Sequence, residues 1–174
     1  MKHMDFIICS VVNKLKEKGK QAGKIQLQKI IYFLQYMDVK IPYSYVISRY
    51  GPFSGELSDK MEQMEYKELI EKRDQSGKDY VLKVNETDLR NYEREDYDKI
   101  SDKIVEIIGF LPSLEFNQLE LYATVHYCYD SLKLFYEDVN NDTLVKEVKK
   151  YKDNKFSKGE IINALDKLKS HETV

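Results

Sequence analysis

Apolar residues recur at steps of three and four positions along most of this chain, and this spacing limits its fold more than any other feature. An i, i+3, i+4, i+7 pattern places apolar side chains on one face of an α-helix, because a helix turns once every 3.6 residues. The first two stripes are Ile8, Val11, Val12, Leu15 and Leu27, Ile30, Ile31, Leu34. They predict helices over residues 5–18 and 25–37. Aromatic neighbours widen the second stripe, so we expect the second helix to be the central, most buried one.

A different pattern follows over residues 42–53, where aromatic and β-branched side chains alternate with other residues. We predict a short strand or extended segment there that ends at the Gly51-Pro52 pair, and Ser54 is a suitable N-cap for a third helix. Residues 69–73 and 80–84 flank a polar loop that contains glycine, which is typical of a β-hairpin. The order helix, helix, strand, helix, hairpin is that of a winged helix.

The second half of the chain is predicted to be helical. A stripe over residues 100–111 gives one helix, a second starts near Ser113, and Asn141 or Asp142 caps a third. The sequence Ser-Lys-Gly-Glu at residues 157–160 is a capping box ahead of the last helix.

The expected fold class is therefore mainly α. Residues 1–86 form a winged-helix-like N-terminal half with a small β-hairpin. Residues 87–174 form a helical C-terminal half that packs on it as one compact domain. If there is a boundary, we expect it near residues 85–98, where polar residues dominate.

Composition narrows the function classes. No apolar stretch approaches the roughly 18 residues that cross a membrane, and no signal peptide is readable, so we expect a cytoplasmic protein. Cys9 and Cys128 fit no metal or redox spacing and are expected to be reduced and buried. Three scattered histidines do not suggest a metal centre, and no motif calls for a cofactor.

His126 is the residue that an enzyme hypothesis would use. Asp130 lies four residues later on the same predicted helix and could orient the imidazole for acid–base chemistry. The sequence places no nucleophile nearby, and it holds no phosphate-binding glycine loop and no hydrolase motif. We therefore expect a histidine in or near the core and a protein that is not an enzyme, with no catalytic residue assigned.

Two lysine-rich stretches support a second hypothesis, a nucleic-acid-binding regulator of winged-helix type. The net charge of −2 argues against binding by the chain as a whole. The third helix, over residues 54–67, carries four acidic residues against two lysines, so it is poorly suited to a DNA groove. Nucleic acid would instead contact the lysine stretches, for which the candidates are Lys16, Lys18, Lys20, Lys24, Lys149, Lys150 and Lys152.

An aromatic cluster on the extended segment supports the first hypothesis, binding to another protein. Tyrosine is enriched among residues that dominate binding energy, because it buries a large area with few torsions and keeps a polar tip. The candidate partner-binding residues are Tyr45, Arg49, Tyr50 and Phe53. The same aromatic surface could equally be a homodimer interface.

Three stretches also carry a family resemblance. Residues 27–33 read LQKIIYF, residues 50–54 read YGPFS, and residues 119–127 read LELYATVHY. The first two resemble the LQKLLYF helix and YGP turn of the Panacea antitoxin family, the SocA-like group of small bacterial and phage proteins. The third resembles a helix of a related uncharacterised branch.

The resemblance, which covers residues 6–135, implies a mostly helical fold. It also implies a non-enzymatic antitoxin or proteolytic adaptor that binds and neutralises a partner protein, such as a toxin. We therefore expect a protein-binding module, and nucleic acid is the less favoured partner.

Overall fold

The computed structural model describes residues 2–73, 79–84, 89, 94–111 and 113–171, with the side chains of residues 94–96 left out. Seven helices lie within these ranges: α1 (His3–Glu17), α2 (Lys24–Gln35), α3 (Gly55–Tyr66), α4 (Arg94–Phe110), α5 (Phe116–Lys133), α6 (Asn141–Lys152) and α7 (Lys158–Ser170). The mainly α fold class is confirmed.

Four short strands form two separate antiparallel hairpins. Strand β1 (Val46–Ser48) pairs with β2 (Gly51–Phe53), and β3 (Ile70–Lys72) pairs with β4 (Tyr80–Leu82). The second hairpin matches the predicted one, although most of its loop lies outside the described residues. The first was predicted as one short strand or extended segment that ends at Gly51-Pro52, and the structure has a pair of strands there instead. The chain turns at residues 49 and 50, and Gly51 starts the returning strand because its φ of +86° suits the turn.

Helix starts follow the capping chemistry of the sequence. Ser54 caps α3 by accepting a hydrogen bond from the Leu57 N–H at 3.3 Å. Ser157 and Glu160 form the predicted capping box of α7. Helix α6 is capped by Asn140, one residue before the first predicted candidate, and its side chain accepts from the Thr143 N–H at 2.9 Å.

The core joins both halves of the chain. Helix α1 packs on α2 and α4, and α5 packs on α2, α6 and α7. Residues 27–34 of α2 are all buried, as predicted for a central helix, and α5 is buried on most of its faces as well. The predicted boundary region at residues 85–98 falls largely outside the described residues.

Candidate functional site

Side chains of α2 hold the first hairpin in place through hydrogen bonds to backbone groups at the hairpin's end. The Gln28 side-chain amide donates to the Ser54 carbonyl at 2.8 Å, and its oxygen accepts from the Ser54 N–H at 3.0 Å. The neighbouring Lys29 donates its Nζ–H to the Pro52 carbonyl at 2.5 Å. These bonds give partners to the buried backbone groups of Pro52 and Ser54. They therefore fix the position of β2.

A buried charge network holds the turn of the same hairpin. Glu120 on α5 is fully buried, and its carboxylate lies 2.9 Å from the Lys152 Nζ and 2.7 Å from the Lys155 Nζ. Lys152 also donates to the carbonyls of Ser48, at 3.2 Å, and Arg49, at 2.6 Å. A buried lysine needs such partners because burial removes its hydration. Two helices therefore clamp the hairpin turn.

Gly51 fits between the hairpin and α5 because it has no side chain. A Cβ at this position would lie 3.0 Å from the Thr124 Oγ1 and 3.5 Å from the Glu120 carbonyl oxygen. The close approach and the positive φ both require glycine. The three stretches that suggested a family resemblance, in α2, the first hairpin and α5, therefore meet at one place.

The clamped turn presents Arg49 and Tyr50 at the surface. The Tyr50 side chain is 45% exposed. Its ring contacts the Phe116 ring, with centroids 5.2 Å apart, and the Arg49 guanidinium carbon lies 5.5 Å from the same Tyr50 ring. An edge-to-face contact with one ring and a cation over its own ring restrict the tyrosine, while part of it stays free to contact another molecule.

Tyr50 borders an open cleft with a volume of about 970 Å³. The cleft lies between the start of α2, the first hairpin and the start of α5. Its apolar lining comes from Ile25, Phe53, Leu114 and Phe116, and its basic lining comes from Lys20, Lys24 and Lys29. Glu115 is the one carboxylate among the described residues that line it. The cleft therefore suits an apolar group that carries negative charge nearby.

Lys29 lies at the buried side of this cleft. Its pKa is lowered to about 7, chiefly by burial and further by the positive charge of Lys152, while Glu120 partly opposes the shift. The Lys29 amine therefore titrates near neutral pH, whereas an ordinary lysine is fully charged there.

The structure brings three of the four predicted partner-binding residues together. Arg49 and Tyr50 form the turn, Arg49 lies against the Tyr50 ring, and Tyr50 and Phe53 line the cleft. Tyr45 does not join them. Its ring packs on the Tyr32 ring, with centroids 5.0 Å apart, and its hydroxyl is buried. Tyr45 is half-buried against α2, apart from the other three residues, so its role in partner binding stays a prediction.

Among the described residues, some of the lysines predicted to bind nucleic acid have ion-pair or hydrogen-bond partners, and others have no ion-pair partner. Lys152 is buried in the charge network, which removes it from any surface. Three others have partners: Lys16 with Asp79, Lys149 with Asn154 and Lys150 with Glu147. Among the described residues, Lys18, Lys20 and Lys24 have no ion-pair partner, and the last two line the cleft.

His126 lies in the core, as expected. It is fully buried, and its Nδ1 lies 2.7 Å from the Tyr32 hydroxyl. The rings of Tyr32, Phe33 and Tyr36 surround it. Asp130 accepts a hydrogen bond from the Tyr36 hydroxyl at 3.2 Å. His126 is not among the residues that line the open cleft.

The cysteines are buried thiols, as expected. Burial raises the pKa of both Cys9 and Cys128 to about 12, and negative charge from Asp5 and Glu147, respectively, adds to this. Both remain protonated at neutral pH and are poor nucleophiles.

Sequence reasoning missed three residues that support the site, Lys29, Phe116 and Glu120, and it assigned Lys152, the partner of Glu120, to nucleic-acid binding. A signal for two of them was present. Lys29 lies within the fully buried run of α2, and Glu120 lies between apolar residues of α5. A charged residue within a buried helical face is expected to be paired, and the pairing marks a structural or functional point.

Within the described ranges, no group of three or more His, Cys, Asp or Glu side chains could hold a metal ion, and no helix is long and apolar enough to cross a membrane. Comparison of the chain with protein-family models and with curated proteins found no match.

Proposed function

We propose that this chain is a non-catalytic protein-binding module, of the antitoxin or adaptor kind that the resemblance implies. Its partner binds at the Arg49-Tyr50 turn and in the cleft beside it. The observation that carries the proposal is the exposed tyrosine–arginine pair on a turn whose carbonyls are fixed by the buried Lys152.

A fixed turn favours binding because little conformational entropy is lost when the partner docks. Tyr50 is already oriented by Phe116, and Arg49 is oriented over Tyr50. Tyrosine and arginine in such settings dominate the binding energy of many interfaces.

The charges around the cleft indicate the partner's chemistry. Lys18, Lys20 and Lys24 carry positive charge at or near the cleft, and among the described residues no carboxylate pairs with them. An acidic segment of the partner would be steered toward this side and held with an apolar group in the cleft.

The same unpaired lysines beside aromatic rings favour nucleic acid as a second candidate. Bases could stack on Tyr50 or Phe116 while the lysines contact phosphates. This candidate is the weaker one, because Lys152 is buried and α3 is acidic. Its binding would fall steeply with salt.

The test is capture of a partner from cells of the native host, washed at high salt, with three versions of the tagged full chain. The wild type and Tyr66→Ala are expected to retain one stoichiometric protein, and Tyr50→Ala is expected to lose it. Tyr66 is the matched control because it is a tyrosine on α3 that is 91% exposed and does not line the cleft.

Equal capture by all three versions would contradict the proposed binding site. Nucleic acid that is retained at low salt and lost at high salt, without a protein partner, would support the second candidate instead.

A further inference from the structure

Three consecutive apolar residues project from the far end of α5. Leu134, Phe135 and Tyr136 are 79%, 82% and 53% exposed. Single exposed apolar residues are common, but a run of three large ones is costly in solubility and usually marks a contact surface. We call residues 134–136 the projection.

We propose that the projection of one molecule docks in the cleft of a second copy of the same chain. The inference rests on the proposed function in one respect, since it uses the same cleft as a site for protein segments. The inference also says which segment occupies the cleft, namely the projection of a second copy.

The projection and the cleft are complementary in chemistry. The projection offers an aliphatic and two aromatic side chains, and the cleft offers the aromatic rings of Tyr50 and Phe116. Exposed Glu137 and Asp138 follow the projection directly. Lys20 and Lys24, which have no ion-pair partner among the described residues, line the cleft. Charges of opposite sign on the two surfaces favour one docking direction.

The lysine that precedes the projection does not weaken this match. The Lys133 Nζ lies 5.7 Å from the centre of the Tyr129 ring on its own helix. Its charge is therefore directed back along α5, and the carboxylates of Glu137 and Asp138 are the charges that flank the projection on its other side.

The position of the two surfaces requires the contact to be between molecules. Phe116 opens α5 and lines the cleft, whereas Leu134 follows the last residue of the same helix. An α-helix of this length holds its ends about 27 Å apart, so a molecule cannot place its projection in its own cleft.

Contact between two different surfaces is heterologous, and it links copies head to tail. Self-association of this kind also occupies the cleft, so it would compete with the partner of the proposed function.

Sedimentation velocity of the full chain over a roughly hundredfold concentration range tests this inference. The wild type and Tyr66→Ala are expected to shift to larger species as concentration rises. Phe135→Ser removes the projection and Tyr50→Ala impairs the cleft, so each alone is expected to remain a monomer. Both substituted side chains are exposed, and circular dichroism confirms that each variant is folded.

A mixture of the two variants gives the sharpest result. Phe135→Ser retains an intact cleft and Tyr50→Ala retains an intact projection, so the mixture is expected to form a dimer and nothing larger. The inference is overturned if the wild type stays monomeric, if Tyr50→Ala associates like the wild type, or if the mixture stays monomeric.

Failure of the self-association can be distinguished from failure of the proposed function. Phe135→Ser leaves the cleft intact, so it is expected to capture the host partner as the wild type does. A monomeric wild type that still captures its partner through Tyr50 would overturn the self-association alone.

Discussion

At the scale of single residues, Lys29 has the most unusual environment. It is a lysine on the buried face of α2, its amine donates to the Pro52 carbonyl, and its pKa is lowered to about 7. A neutral amine can still donate this hydrogen bond, so the hairpin contact persists when the proton is lost.

The lowered pKa makes stability depend on pH. In the unfolded chain Lys29 regains an ordinary pKa near 10.4, so between about pH 7 and pH 10 the unfolded state binds more protons. The free energy of unfolding contributed by this group therefore rises with pH, by at most about 1.4 kcal/mol per pH unit.

Lys29→Met retains most of the side-chain volume and removes the titration. Urea unfolding between about pH 6 and pH 9 is expected to show that the wild-type free energy of unfolding, minus that of the variant, increases with pH. The variant also loses the hydrogen bond from Lys29 to the Pro52 carbonyl, which changes its free energy of unfolding by the same amount at every pH. Parallel pH profiles would contradict the lowered pKa.

Gly51 gives a second prediction at this scale. Gly51→Ala places a Cβ 3.0 Å from the Thr124 Oγ1 in a backbone with φ +86°, so it is expected to lower the free energy of unfolding by about 1–3 kcal/mol. Gly55→Ala is the matched control, since it lies at the start of α3 with open space around it and an ordinary φ. Thermal unfolding compares the two, and equal effects would contradict the account of Gly51.

At the same scale, the sequence was a partial guide to the site. It indicated Arg49 and Tyr50 through residue type and the nearby turn signal. It could not separate Tyr45 from Tyr50, because the packing of Tyr45 on Tyr32 and the exposure of Tyr50 both depend on tertiary contacts. Pairing partners such as Glu120 and Lys152 are 32 positions apart in the sequence, and no local pattern joins them.

At the scale of elements, the first hairpin depends on the charge network beneath it. Glu120→Gln leaves Lys152 buried without its carboxylate, and breaking a buried ion pair typically costs about 3–5 kcal/mol. We expect a loss of this order in the free energy of unfolding, measured by urea titration.

Glu147→Gln is the control for that change, because Glu147 pairs with the exposed Lys150 on α6. Its effect is expected to stay below about 1 kcal/mol. If Glu120→Gln were no more destabilising than Glu147→Gln, the network would not be what holds the hairpin.

Elements with strong local signals were predictable. The capping box at Ser157 and the N-cap at Ser54 were confirmed, and the apolar stripes gave α1 and α2 to within a few residues. The first hairpin was not predictable as a hairpin, since Gly51-Pro52 is a common end signal and here belongs to a returning strand. Its pairing depends on Lys29 and Lys152, which are tertiary contacts.

At the scale of the whole molecule, the two halves of the chain build one site. Helix α2 and the first hairpin come from the N-terminal half, and α5 and α6 come from the C-terminal half. The sequence predicted the mainly α fold class, but the cleft arises only where these elements meet. The function remains a proposal that the cleft and the clamped turn support.

The central claim is that a protein partner contacts the clamped turn. The most direct test places photoreactive benzoylphenylalanine at position 50 or, as a control, at position 66 in the full chain within cells of the native host. Position 50 is beside the cleft, and position 66 is 91% exposed on α3.

We expect benzoylphenylalanine at position 50 to cross-link to one protein, and we expect no cross-link to that protein from position 66. Cross-links to a second copy would map to its residues 134–136 and are distinguished by mass spectrometry. The same partner cross-linked from position 66 and not from position 50, or no protein cross-linked from position 50 in a folded chain, would contradict the claim.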